Sequence, residues 1–184
     1  MKINLRVIFT LMSITISFLS LQAQVAIGKS SMREVHSVVT ECIAIGDTVL
    51  IRILYTLNGN EDSASSAPSS SNQFIEPSGL PFKVNKSDVL NTFSVNGRSS
   101  KIFDDVGLKY AGKNAIKISI GDSGFGSEKT ISPKHGVPTE GYVQITGVPD
   151  SAEMIKIMNL QIYRNSYGRH EHGTIDFEDI PIKR

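Results

Sequence analysis

The sequence predicts an all-β fold, an antiparallel sandwich of about seven strands. Apolar and polar residues alternate in several segments, as they do in strands that bury one face. Glycine, proline, asparagine and aspartate separate these segments. No sustained apolar pattern with helical spacing follows residue 24. Short strands without helices favour two packed antiparallel sheets.

The beginning of the chain is predicted to be a secretory signal peptide, residues 1–23 of 184. Lys2 and Arg6 precede an apolar run over 7–21, and the small residue Ala23 marks the expected cleavage point. The run is shorter than the ~20 residues that a membrane span needs, and no later segment is long enough. We therefore expect an exported protein, periplasmic or extracellular, with one domain over 24–184.

The charge of the chain argues against nucleic acid as a partner. The sequence has 19 basic and 18 acidic residues, and loss of Lys2 and Arg6 with the signal peptide leaves 17 and 18, a net charge of −1. No basic patch stands out, although a nucleic-acid surface requires one. No cofactor is predicted. Cys42, the single cysteine, lies in the apolar segment "ECIAI" and predicts a buried, unreactive thiol.

The first predicted strands are "REVHSVVTECIAI" and "TVLIRILYTL". The second alternates regularly, and its partly apolar outer face predicts a central strand. The residues expected to face inward are Val49, Ile51, Ile53, Tyr55 and Leu57.

The segment 58–79 differs from its surroundings because it is rich in serine and poor in apolar residues. Such a segment cannot bury enough surface to offset the entropy of ordering it. We predict a long flexible loop here, with Phe74 and Ile75 as candidates for contact with the domain.

The middle of the chain predicts further short strands. "VLNTFSV" is one, and "KIFDDVGLKY" predicts two around a turn at 104–107. "AIKISIG" and "GYVQIT" also alternate, and in the first of them Lys117 and Ser119 are expected to face outward. The residues of the two segments expected to face inward are Ile116, Ile118, Ile120, Val143 and Ile145.

The last two predicted strands each slip by one residue in their alternation. In "MIKIMNLQIY", Ile155 and Ile157 are in phase and the pattern then resumes at Leu160, which predicts a bulge near Met158–Asn159. "TIDFEDIPI" slips in the same way, and Pro181 predicts that this strand ends there or lies at an edge. "GVPDSAE", 147–153, predicts one helical turn that links the two sheets.

Ser123 is the candidate nucleophile, because "GDSG" resembles the nucleophile loop of chymotrypsin-like serine proteases. His36 would supply the general base that a serine nucleophile needs. However, Phe125 replaces a glycine of that loop, and the chain is too short for two closed barrels. We expect a hairpin loop over 121–126 and no catalytic residue.

His170 and His172 are the candidate metal ligands. In an extended chain they project to the same face, but no neighbouring residue supplies the further ligands that Zn²⁺ requires. The alternative is a solvated hairpin loop. Asp104, Asp105 and Asp122 are candidate calcium ligands. For Asp104 and Asp105, a β-turn is the favoured interpretation.

The chain from Ile102 onward resembles a family of small exported immunoglobulin-like domains common in Bacteroidetes. The resemblance rests on "IFDDVGLKY", on two "GVP" motifs at 136–138 and 147–149, and on the closing "TIDFEDIPI". It covers about the last 80 residues, and Val106 departs from the usual acidic residue. It implies an immunoglobulin-like sandwich and export, and it implies no catalytic residues.

These observations predict an exported, non-catalytic binding or accessory module that is not an enzyme. Its partner would be an envelope or extracellular protein or a glycan, bound by an open sheet edge or by the loops 58–79, 121–130 and 164–173. The alternatives are a glycan- or metal-binding sandwich and a hydrolase. Four tyrosines are the candidate glycan-stacking residues: Tyr110, Tyr142, Tyr163 and Tyr167.

Overall fold

The computed structural model describes residues 25–58, 74–75, 81–82, 92–166 and 169–184. In these ranges the chain is all-β, without a helix, and eleven strands form two antiparallel sheets. The predicted sandwich class is confirmed, and the predicted number of strands, about seven, is wrong. Three short strands that the sequence did not predict, at 26–27, 29–30 and 128–131, contribute to the larger number.

Sheet A has five strands in the order β1-β3-β4-β11-β9. Their bounds are β1 Ala26–Ile27, β3 Val35–Ile45, β4 Thr48–Leu57, β9 Ile116–Ile120 and β11 Thr139–Thr146. Sheet B has six strands, in the order β10-β7-β12-β13-β2, with β8 paired to β7. Their bounds are β2 Lys29–Ser30, β7 Thr92–Asp104, β8 Lys109–Ala111, β10 Glu128–Ile131, β12 Met154–Ser166 and β13 Arg169–Pro181. A separate pair joins β5 Phe74–Ile75 to β6 Pro81–Phe82.

The core consists of the inward-facing residues of the two sheets. β4 alternates as predicted, with its odd-numbered residues buried and its even-numbered residues partly exposed. The predicted inward residues of β9 and β11 are also buried. The largest fully buried side chains include Ile51, Ile53, Phe93, Ile102, Met158 and Phe177. This apolar layer drives the packing of the sheets, because each fully buried side chain of this size contributes about 1.5–3 kcal/mol.

The bulge in β12 lies at a different place from the predicted one. Relative to β7, the extra residue of β12 is Lys156, between Ile155 and Ile157. Met158 is therefore fully buried, whereas Ile157 is 45% exposed. The prediction was wrong because Ile157 and Met158 are both apolar, and their order along the strand does not reveal which one faces the core.

Three smaller expectations are also corrected. The described part of "VLNTFSV", 92–95, and "KIFD", 101–104, belong to one strand, β7, which is irregular opposite Asn159 and Gln161. Ser119 is buried, at 7% exposure, instead of facing solvent. In place of a helical turn, 147–153 contains a β-turn in which the Ala152 N–H donates to the Pro149 carbonyl. This turn connects sheet A to sheet B, as expected.

Both ends of the described chain pair with the same strand. Ala26 and Ile27 pair with β3 near its middle, and Lys183 forms a parallel bridge to Ile43 farther along β3. β13 ends at Pro181, as predicted. Both chain ends therefore cover the outer edge of β3, which would otherwise expose unpaired backbone groups.

The described ends of two predicted binding loops lie at one end of the sandwich. The Asn58 N–H donates to the Glu34 carbonyl, and the Glu34 carboxylate forms an ion pair with Arg164, 3.3 Å away. The predicted signal peptide 1–23, most of the serine-rich segment 58–79 and Tyr167 lie outside the described residues. Within the described ranges, no helix is long and apolar enough to cross a membrane.

Candidate ligand-binding face

Ser123 is bound to its own turn. Its hydroxyl donates to the Ile120 carbonyl at 2.7 Å and accepts from the Ile120 N–H at 3.1 Å. Its carbonyl accepts a hydrogen bond from the Ser119 hydroxyl. The "GDSG" sequence therefore closes the end of β9, and the small polar residues that resemble a protease loop are those that a tight turn favours.

The proposed base for Ser123 lies on another part of sheet A. His36 is in β3, whereas Ser123 follows β9, and β4 and β11 lie between these strands. Three strand spacings separate them, about 14 Å. A serine and its base need to be within about 3 Å of each other, so the two residues do not form a catalytic pair.

The aspartates of the β7–β8 turn have structural partners. The buried Asp104 carboxylate accepts from the Leu108 N–H and from the Tyr110 hydroxyl, both at 2.7 Å. Asp105 accepts from the Glu153 N–H at 3.2 Å. Burial, together with the hydrogen bond to Asp104, raises the pKa of Tyr110. The turn interpretation is therefore confirmed, and Tyr110, one of the four candidate glycan-stacking residues, is buried.

His170 and His172 lie on β13, opposite Asn165 and Tyr163 of β12. Both histidines are exposed. The His172 ring packs edge-on against the Tyr163 ring, with centroids 4.7 Å apart and an interplanar angle of 86°. In the described part of the chain, no group of three His, Cys, Asp or Glu residues is placed to hold a metal ion.

The outer face of sheet B brings together polar side chains from four strands. We call this set the polar face. Its members are Ser94, Asn96, Glu128, Thr130, Asn159, Gln161, Tyr163, His172, Thr174 and Asp176. Strand register arranges them in rows that cross the sheet, and the top row is Thr130–Ser94–Tyr163–His172. Rows of this kind can contact an extended ligand.

Three side chains at the centre of the polar face form a directed hydrogen-bond chain. The Gln161 amide donates to Asn159 Oδ1 at 3.0 Å, and the Asn159 amide donates to the Asp176 carboxylate. An ionised carboxylate only accepts. Asp176 therefore fixes the orientation of the Asn159 amide, and Asn159 in turn fixes that of Gln161.

Two further pairs extend the polar face toward β10. The Ser94 and Thr130 hydroxyls lie 2.6 Å apart, and the Asn96 amide donates to Glu128 at 3.2 Å. The side-chain oxygen of Asn96, Oδ1, also accepts from the Arg98 N–H at 2.9 Å. These bonds hold the side chains in place before any ligand binds, which lowers the entropy cost of binding. Ser94 and Asn96 are buried, so Thr130 and Glu128 are the exposed members of the two pairs.

The outer face of sheet A offers a different surface. A shallow concavity of about 220 Å³ lies between β3 and β4, and its lining includes His36, Thr40, Leu54, Thr56 and Pro138. This volume is below the 300–1,000 Å³ of typical small-molecule sites.

An ion-paired cluster occupies another part of the sheet A face. Arg52 pairs with Glu140, which also accepts from the Tyr142 hydroxyl. These contacts lower the pKa of Glu140 and raise those of Arg52 and Tyr142. The charged groups are already paired with one another, so this cluster leaves few free hydrogen-bonding groups for a ligand.

Only two members of the polar face, Tyr163 and His172, are binding candidates from the sequence alone. The other members were missed because they are the outward residues of ordinary alternating strands. Their signal in the sequence was the spacing Asn159, Gln161, Tyr163 in "MNLQIY", which places three polar groups on one face of a strand.

The sequence matches no protein-family model and no curated protein. Solved structures similar to this chain include a family 123 glycoside hydrolase from Clostridium perfringens, studied for glycolipid glycan hydrolysis. The identity is 16%, the match covers 75% of this chain and 22% of that chain, and the TM-score is 0.32. A similarity at this level carries no argument about function. Membership of the exported immunoglobulin-like domains thus stays a prediction from the residues.

Proposed function

We propose that this protein is an exported, non-catalytic binding module that binds glycans through the polar face. The observation that carries the proposal is the register of sheet B, which aligns amide, hydroxyl and carboxylate groups beside the Tyr163–His172 ring pair. Sugars present hydroxyl groups and C–H faces. Side chains that accept and donate hydrogen bonds suit the former, and aromatic rings suit the latter.

The shape of the surface supports an extended ligand over a small enclosed one. The polar face spans strands β10, β7, β12 and β13, about 14 Å between the outer two at ordinary strand spacing. Several sugar units of a chain can lie along this distance. A single small molecule would leave most of these groups in water.

Export is the second part of the proposal and rests on the predicted signal peptide 1–23. An exported module meets envelope and extracellular glycans, whereas a cytoplasmic protein does not. Fractionation of cells that express the full chain tests this part. A mature protein that begins near Gln24 in the periplasm or medium is expected, and an unprocessed chain in the cytoplasm would contradict it.

A glycan array with the mature protein tests the binding proposal. We expect binding to a subset of glycans that the variant Y163A reduces at least tenfold in follow-up calorimetry. Y142A is the matched control, because Tyr142 is a half-buried outward tyrosine on the opposite sheet. Absence of binding to every glycan, or equal losses in both variants, would overturn the proposal.

The rival proposal is a hydrolase, and a separate assay addresses it. Because the Ser123 hydroxyl is bonded to Ile120, we expect no labelling by a serine-reactive fluorophosphonate probe. Stoichiometric labelling that S123A abolishes would establish a reactive serine and contradict the non-catalytic proposal.

A further inference from the structure

The hydrogen-bond chain at the centre of the polar face has unused bonding groups with a defined chemistry. Asn159 uses one of its two amide N–H groups to bind Asp176 and its oxygen to bind Gln161. Among the described residues, the second Asn159 amide N–H and the second Asp176 carboxylate oxygen have no hydrogen-bond partner. A donor and an acceptor therefore stand side by side, held by neighbouring strands in register.

Adjacent hydroxyl groups of a sugar ring match this pair. One hydroxyl donates to the free carboxylate oxygen, and its neighbour accepts from the amide N–H. Hydrogen bonds to an ionised partner are about twice as strong as bonds between neutral groups. The pair thus favours a ligand that can donate a proton to Asp176 in a hydrogen bond.

The charges on the polar face oppose a negatively charged ligand. The two carboxylates of the polar face are Asp176 and Glu128. Arg98 is the arginine nearest to Glu128 along β7, and it donates to Ser127 at 3.1 Å. Lys29, beside Asp176 at the edge of the sheet, forms an ion pair with Glu178, 3.6 Å away. Lys101 is the exposed cation beside Asn159. An anionic sugar placed directly over Asp176 would meet a like charge at once, whereas Lys101 lies two strands away, on β7.

We propose that the Asn159–Asp176 pair is the specificity determinant of the polar face and selects sugar units that have two adjacent free hydroxyls and no negative charge. The inference deepens the glycan-binding proposal and depends on it. Asp176 has two roles. It accepts from the ligand, and it orients the amides of Asn159 and Gln161.

Calorimetry with neutral and charged probes tests the inference. Three probes are 1,4-linked hexasaccharides whose units carry adjacent free hydroxyls: those of glucose and mannose are neutral, and that of galacturonic acid is anionic. The fourth, the hexasaccharide of N-acetylglucosamine, is neutral, but its internal units lack adjacent free hydroxyls. We expect the glucose or the mannose probe to bind at least tenfold more tightly than the other two. A galacturonic acid or N-acetylglucosamine probe that binds as tightly as the better of the glucose and mannose probes would overturn the inference and leave glycan binding intact. No binding of any probe, together with an empty glycan array, would remove the proposed function itself.

Two variants with the same change of charge separate a binding role from a structural one. D176N keeps the shape of the side chain but allows its amide to donate, so the orientation of Asn159 is no longer fixed. We expect at least a tenfold loss of affinity for the better of the glucose and mannose probes. D179N, on the same strand, is the control, and we expect its affinity to stay within twofold of the wild type.

A third variant guards against misfolding of D176N. Q161A removes the donor to Asn159 Oδ1 and leaves the carboxylate in place, so we expect a smaller loss than in D176N. Thermal unfolding of each variant shows whether it is folded. If D176N or, where it does not fold, Q161A binds that probe as the wild type does, the inference is wrong.

Discussion

Lys156 and Asp179 form an ion pair across the β12–β13 ladder, at the point where both strands shift their alternation by one residue. The two extra residues lie opposite each other, so the pairing of the strands keeps its register on both sides. Asp179 has a backbone φ of 53°, the single positive value among non-glycine residues in the described ranges. Asp179 raises the pKa of Lys156 through its hydrogen bond and its charge. The one-residue shift in the alternation of β12 and the one in β13 are thus the two halves of a single irregularity.

Substitutions at Asp179 should depend on backbone conformation more than on charge. D179N removes an exposed ion pair but keeps a side chain that tolerates positive φ, so we expect a loss of at most about 1 kcal/mol. D179V places a β-branched residue at positive φ, and we expect a loss of about 1–3 kcal/mol. Urea unfolding measures both. Equal losses would show that the charge, and not the backbone, sets the cost.

The buried carboxylate of Asp104 should be the main stabilising group of the β7–β8 turn. D104A removes two hydrogen bonds and leaves the buried Tyr110 hydroxyl without its partner, so we expect a loss of about 2–4 kcal/mol. Y110F removes one of the two bonds, and we expect about 1–2 kcal/mol. D105N, at an exposed neighbour, is the control. It should cost less than about 1 kcal/mol, because substitutions at exposed positions usually change stability little. A D104A variant as stable as D105N would contradict this role.

Gly28 lies where the chain passes from sheet A to sheet B and should tolerate no side chain. A Cβ at this position would lie 2.2 Å from Ser37 Oγ, 2.7 Å from Ile175 Cγ2 and 2.8 Å from Phe177 Cε1. We expect G28A to cost about 1–3 kcal/mol through overpacking. The double variant G28A/S37A should recover part of this loss, because it removes the shortest contact.

Gly124 supplies a matched control for Gly28. A Cβ at Gly124 would meet nothing within 4 Å, and its φ lies outside the positive range. We expect G124A to change the free energy of unfolding by less than about 0.5 kcal/mol. The interpretation of Gly28 fails if chemical denaturation gives the two alanine variants the same stability.

Cys42 should be unreactive in the folded protein and should make stability sensitive to alkaline pH. Burial raises the pKa of its thiol from about 9 to about 12, against a smaller opposing effect of Lys183. The folded state therefore favours the protonated thiol. This contribution is complete below pH 9 and is lost as pH rises from 9 toward 12, by at most about 1.4 kcal/mol per pH unit.

Two measurements check the prediction for Cys42. Iodoacetamide at pH 8 should leave the native thiol unmodified and should modify it fully in denaturant. Between pH 9 and 10.5, the stability of C42A should fall less steeply than that of the wild type. Rapid modification of the native protein, or identical slopes, would show that the thiol is accessible or that its pKa is ordinary.

The alternation of residues in the sequence correctly predicted the class of fold. Val49, Ile51 and Ile53 were assigned to the core from their spacing alone, and all three are fully buried. Such assignments succeed because side chains of a strand point alternately to its two faces, so a local pattern fixes which face is apolar. The turn after Asp104 and the end of β13 at Pro181 were predicted on similarly local grounds.

Irregular positions could not be located in this way. Ile157 and Met158 are equally suited to the core, and only the packing of sheet B shows that Met158 is buried. The positive φ of Asp179 has the same origin, because it lies where β13 pairs with the irregular part of β12. The Ser119 hydroxyl, by contrast, donates within its own turn, to the Ser123 carbonyl.

The sequence by itself determined the alternating strands, the sandwich class, the single buried thiol and the local turn at Ser123. The tertiary structure decided which strands are neighbours, and this decision creates the candidate site. Asn96, Asn159 and Asp176 come from three strands and share one face because β7, β12 and β13 are adjacent and in register. Side-chain periodicity is a property of one strand, whereas a binding face is a property of several.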